Sequence, residues 1–135
     1  MKQLFLVHPI GQFCTLLVGI FNVVTGMTRK GFNIYIHLNC GILYYFSALI
    51  GAGIGKLVVK WAGSKDIIVL VPVHDLIAMA LIFLFAMGAT TGLVMMSAAE
   101  KRARLIKYHR LVNLVGITLF ALQGIIGLYH LAKII

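Results

Sequence analysis

Four histidines, His8, His37, His74 and His109, stand near the starts of four apolar stretches. Each is followed eighteen residues later by a glycine: Gly26, Gly55, Gly92 and Gly127. Eighteen residues make five turns of α-helix, so each glycine falls on its histidine's helix face, about 27 Å further along. An imidazole at one end of a helix and bare backbone at the other, four times over, suits flat cofactors gripped near both ends of a bundle. Histidine inside a membrane segment is rare and reads as functional by default.

The elements that must position these residues follow from composition. The chain has 135 residues, 61% hydrophobic and only 11% charged, with a mean hydropathy of +1.04. A water-soluble domain carries about a quarter charged residues, so the sequence predicts an integral membrane protein. The net charge of +9 does not point to nucleic acid. Lys and Arg lie mostly at the ends of apolar runs, where they anchor and orient helices. Four runs meet the requirement of about 20 residues for a span, at positions 4–27, 33–59, 67–97 and 105–132. Pro72 leaves the third start open between 67 and 73. The connections leave no room for a second domain, so one domain is expected over 1–135. The first run resembles a signal peptide but lacks a small-residue cleavage site and is long enough to span, so a retained helix is expected.

The halves read as a tandem repeat. Val7-His8 aligns with Val73-His74, and Val24-Thr25-Gly26-Met27 then falls on Thr90-Thr91-Gly92-Leu93. A longer second connection brings His37 onto His109 and Gly55 onto Gly127. The expected fold is an all-α, integral membrane, up-and-down four-helix bundle with an internal two-helix duplication. Helices one and three then run parallel, as do two and four.

Sidedness follows from charge. Lys2, Lys56, Lys60, Lys65 and Lys133 fall at one end, and Arg29, Lys30, Lys101, Arg102, Arg104, Lys107 and Arg110 at the other. Seven against five predicts the second end as cytoplasmic. Both termini then lie outside, across what is expected to be a bacterial inner membrane.

In such a bundle, neighbours are antiparallel and parallel helices are diagonal. His8 and His74 therefore face each other across the interior near the outer end, and His37 and His109 near the inner end. Two imidazoles approaching along one axis from opposite sides is what bis-histidine ligation of a haem iron needs. The expected cofactors are two non-covalent b-type haems, bound by His8 with His74 and by His37 with His109. The depth of His37 should match residues 21 to 24 of the first helix, which puts the two levels about 20–24 Å apart. Gly19 and Gly88, and Gly51 and Gly124, lie 11 to 15 residues past their histidines, close to the expected level of the opposite haem. Glycine there lets backbone approach a porphyrin. The glycines at eighteen fall somewhat beyond that level. Helix-packing notches are the alternative reading of such glycines, and polar interhelical contact the alternative for the histidines.

With one histidine per helix, first pairing with third and second with fourth, the pattern resembles the cytochrome b561 core of the eukaryotic type. The resemblance covers nearly the whole chain and rests on spacing and topology. It implies a four-helix, di-haem electron-transfer protein. That family's two flanking helices and its ascorbate-site motif have no counterpart here. More loosely, the chain resembles bacterial four-helix b-type cytochromes, in which the fourth helix carries two ligands and the third none. That comparison raises His130, near the end of the fourth helix, as another partner for His8, a quinone-pocket residue or propionate contact, or an interfacial residue.

Among other polar groups, Asp75 could orient an imidazole or accept a quinol proton, or serve only as an acidic residue placed at a helix start by the dipole. Arg110 and Lys107 beside His109 could neutralise haem propionates, or serve only as topology determinants. Tyr44, Tyr45, Tyr108 and Tyr129 read as packing or interfacial residues. Cys14 and Cys40 form no C-x-x-C-H motif, so covalent haem is not expected. No hydrolase triad, phosphate loop or zinc motif is present. The expected function is transmembrane electron transfer linked to quinol, as a membrane subunit of a redox complex, with a multihaem cytochrome or an iron–sulfur subunit as partner. A non-redox membrane anchor and a small proton or metal transporter are the alternatives.

Overall fold

The structure is a computed structural model that describes residues 2–28, 33–63, 72–97 and 102–134. The chain forms α1 (Lys2–Met27), α2 (Ile34–Gly63), α3 (Pro72–Ser97) and α4 (Arg102–Ile134). Local signals set two of the starts. Asn33 caps α2, its Oδ1 accepting the N–H groups of Tyr35 (2.9 Å) and Ile36 (3.2 Å). This satisfies two of the donors that a helix start leaves unpaired and fixes His37 one turn into the helix. Pro72 opens α3, where its missing N–H costs nothing and its fixed φ suits the first turn. The expected third start at 67 or 73 thus resolves to 72.

Three helices run longer than the apolar runs predict, α1 by two residues at its start. α2 continues past Val59 to Gly63, and α4 extends beyond its expected run at both ends. Lys60 and Arg102 are good helix formers at these margins and their charged ends reach away from the apolar interior. Four segments, Leu6–Met27, Ile34–Trp61, Pro72–Ser97 and Arg102–Tyr129, are long and apolar enough to cross a membrane. Their outer faces carry Phe83, 66% exposed, and Leu76, 71% exposed, among many other large apolar side chains. Such a surface suits lipid rather than water.

Antiparallel hairpins α1/α2 and α3/α4 make the closest contacts. They join through α1 and α4, and only sparsely through α2 and α3. The diagonal pairs α1–α3 and α2–α4 do not touch through their backbones among the described residues. This is the four-helix arrangement expected from the sequence. Its centre is an aromatic cluster. Tyr44, 3% exposed, meets Phe85 at 5.1 Å and Phe120 at 6.0 Å between ring centres. Leu81 and Ala48 complete the buried core. The side chain of His130, and the charges of Lys2, Arg29, Lys30, Lys65, Lys101 and Lys133, lie outside the described residues.

Candidate functional site: two facing histidine pairs

The bundle brings the four histidines together as two pairs, each on one diagonal. The rings of His8 on α1 and His74 on α3 have centres 6.4 Å apart and planes at 65°. Those of His37 on α2 and His109 on α4 are 6.1 Å apart, with planes at 74°. A bound imidazole nitrogen lies about 2.0–2.1 Å from a first-row metal ion. With about 1.1 Å more from nitrogen to ring centre, two imidazoles on opposite sides of one ion have centres about 6.3 Å apart. Both pairs have that spacing.

Hydrogen bonds decide which nitrogen carries the proton in the second pair. His37 Nδ1 lies 3.1 Å from the Asn22 carbonyl oxygen, and His109 Nδ1 lies 3.1 Å from that of Gly88. A carbonyl only accepts, so Nδ1 donates in both rings and Nε2 is the lone-pair nitrogen. The Thr91 hydroxyl donates to the carbonyls of Met87 (2.8 Å) and Gly88 (3.0 Å), which turns its lone pairs to His109 Nδ1 at 3.1 Å. In the first pair, His8 Nδ1 is buried without a hydrogen-bond partner among the described residues. The His74 carbonyl accepts from Gln123 Nε2 at 3.4 Å. Asn22, Gly51, Gly88 and Gln123 each stand fourteen residues past the histidine of their own helix.

The glycines at eighteen take a place that spacing alone did not suggest. Each lies against the histidine of its hairpin partner. A Cβ on Gly26 would meet His37 Cε1 at 2.7 Å, and one on Gly55 would meet His8 Cε1 at 2.9 Å. On Gly92 it would meet His109 Cε1 at 3.4 Å, and on Gly127 His74 Nε2 at 3.5 Å. They lie at the level of the rings rather than beyond it, because helical side chains lean toward their own N-terminus. In an antiparallel hairpin that moves each ring toward the C-terminal end of the neighbour.

The nearer glycines receive other side chains. Tyr44 and Ile117 fill the space at Gly19, Gln12 that at Gly51, and Tyr45 with Asn113 that at Gly88. Gly124 is exposed, and a Cβ there would meet nothing within 4 Å. Arg110 is exposed on α4, next to His109. Cys14 and Cys40 are free thiols.

Carboxamides are what the sequence reading overlooked. Gln12 and Asn113 lie four residues past a histidine, and Asn22 and Gln123 lie fourteen past. All four belong to α1 or α4. The same offsets in α2 and α3 hold Gly41, Gly51, Ala78 and Gly88. Asn22 Nδ2 would lie 3.3 Å from a Cβ on Gly41, and Asn113 Oδ1 3.3 Å from one on Gly88. Amides on one helix of each hairpin thus fit small residues on the other, and this complementarity was the signal available.

A cavity of about 670 Å³ adjoins the first pair. Its wall includes both rings, Gly55, Gly124 and Gly127, and it reaches Leu81, Phe85 and Phe120 at the centre, with Lys56 and Asp75 also on its lining. That volume is in the range of small-molecule and cofactor sites. Among the described residues, no group of three or more His, Cys, Asp or Glu side chains could hold a metal ion. Each pair is two imidazoles alone, from α1 and α3 in the first and from α2 and α4 in the second. Comparison with known protein families, curated proteins and solved structures returned no match.

Proposed function

We propose that this chain is a membrane-embedded, di-haem b-type cytochrome that passes electrons between the two faces of a membrane, similar in plan to the cytochrome b561 core. The observation that carries the reading is the pair of diagonal imidazole pairs, with ring centres 6.4 and 6.1 Å apart. His8 with His74 would hold one haem, and His37 with His109 the other. When bound, a haem held this way supplies a one-electron iron couple.

The chain's own residues do the rest. The Asn22 and Gly88 carbonyls hold Nδ1–H of His37 and His109, which fixes the tautomer and raises ligand basicity. Gly26, Gly55, Gly92 and Gly127 leave room for the rings. Of the four nearer glycines, Gly19, Gly51 and Gly88 receive Tyr44, Gln12 and Tyr45, and Gly124 alone keeps an open face. Apolar walls keep water from the interior, and Phe85, Phe120 and Tyr44 fill the space between the two levels with aromatic rings. The levels are fourteen to eighteen helical residues apart, about 21–27 Å.

Quinol is the proposed lipid-soluble electron donor or acceptor, and a multihaem cytochrome or an iron–sulfur subunit the proposed protein partner. The proposed setting is a bacterial inner membrane with both termini outside and Arg110 on the cytoplasmic side, near the propionates of the inner haem. The deciding experiment is an absorption spectrum of the purified chain with a pyridine haemochrome assay. Two b-type haems per chain are expected. A haem-free protein from haem-replete cells overturns the reading.

A further inference from the structure

Resting on the di-haem reading, we propose that Tyr45 and Asn113 form a positioning crossbar that holds the His109 side of the second site and sets its redox poise apart from that of the first. Tyr45 belongs to α2 and Asn113 to α4, the diagonal helices that also carry His37 and His109. Their backbones do not touch, yet Tyr45 Oη lies 2.6 Å from Asn113 Oδ1. Asn113 Nδ2 lies 2.7 Å from the His109 carbonyl oxygen and 3.4 Å from both ring nitrogens of His109.

The chemistry of the partners fixes the amide's orientation. The His109 carbonyl can only accept, so the NH₂ group faces it. Oδ1 then faces Tyr45, whose hydroxyl donates. The tyrosine ring is itself clamped, 5.4 Å from Tyr44 and 5.6 Å from Phe85 between ring centres. Gly88 makes the junction possible, since a Cβ there would run into the Tyr45 hydroxyl. Its carbonyl also accepts His109 Nδ1–H. One residue without a side chain thus serves both the crossbar and the ligand.

The first site is built otherwise. At the corresponding offsets, eight past His8 and four past His74, stand Leu16 and Ala78. Both are apolar and both line the cavity. The amide four past His8, Gln12, is turned instead onto Gly51 of its hairpin partner, so one site has a polar bridge across the diagonal and the other has its amide within a hairpin.

An amide N–H held against an imidazole places partial positive charge beside a metal ligand. Hydrogen bonding around an axial ligand is one of the levers by which protein tunes a haem. That charge favours the reduced state, so releasing the amide should lower the potential of the second site alone.

Potentiometric titration of the full-length Tyr45→Phe protein, followed by visible absorbance, tests this. Expected is a retained haem count, one redox wave shifted to lower potential and one unmoved. The shift should recur in a His74→Ala background, which keeps the second site, and vanish in a His109→Ala background. Tyr44→Phe, which removes a buried hydroxyl without a hydrogen-bond partner among the described residues, should move neither wave. Asn113→Ala should move the same wave as Tyr45→Phe. If Asn113→Ala does not assemble, the Tyr45→Phe comparison, which removes one oxygen, decides alone. Two unmoved waves in Tyr45→Phe, equal shifts in both, or the same shift in Tyr44→Phe overturns the crossbar while leaving the di-haem reading standing. Absence of haem from the unmodified chain overturns that reading and the crossbar with it.

Discussion

Gly26 lies against the imidazole of His37, so close that a Cβ would stand 2.7 Å from Cε1 and 3.2 Å from Nδ1. A methyl group cannot share that space, and the ring must turn away from the Asn22 carbonyl. Gly26→Ala should therefore cost about 1–3 kcal/mol, as overpacking does, and lower the haem count from two toward one. Gly53→Ala is the comparison. A Cβ there meets nothing within 4 Å, and replacing glycine by alanine inside a helix is favourable by up to about 1 kcal/mol. Thermal unfolding with a haemochrome count of both variants checks the pair of outcomes. Equal behaviour would mean that the glycine does not seat the ring.

Removing one ring from each pair should separate the two sites. His74→Ala should lose the first haem and keep the second, and His109→Ala the reverse, with the haemochrome signal halved in each. The double variant should bind none. An unchanged haem count in either single variant would contradict the pairing.

Ring planes crossing at 65° and 74° carry a spectroscopic consequence. Imidazoles bound far from parallel leave the iron d-orbitals that they overlap nearly equal in energy. The oxidised protein should give strongly anisotropic low-spin ferric signals for both haems in electron paramagnetic resonance. An ordinary rhombic spectrum at either site would contradict the ring orientations seen here.

Much of this was legible in the sequence. Four histidines at the starts of four spans admit few arrangements once short connections force neighbours antiparallel, so the diagonals His8–His74 and His37–His109 follow from topology. The depth of His37, expected opposite residues 21 to 24, lies opposite Asn22 and Gly26. What eluded the reading depends on side-chain direction and on distant partners. The lean of each ring toward its helix start, which carries it onto the neighbour's glycine, is invisible to a count of residues along one helix. Tyr45 and Asn113 are 68 residues apart and share no periodicity that would pair them. Gly19, Gly51 and Gly88 looked alike as bare backbone, yet Tyr44, Gln12 and Tyr45 with Asn113 fill them differently. Helices α1, α2 and α4 exceeded the apolar runs because hydropathy marks where a span could lie and not where helical hydrogen bonding stops.

Each facing pair takes one ring from α1/α2 and one from α3/α4. Neither hairpin alone presents two opposed imidazoles. Whatever bridges a pair therefore cross-links the halves of the molecule, across an interior where α2 and α3 barely meet. Binding at one pair holds the hairpins in register and so presents the other pair already assembled. Filling of the two sites should be cooperative, and the assembled bundle should owe part of its cohesion to what it carries.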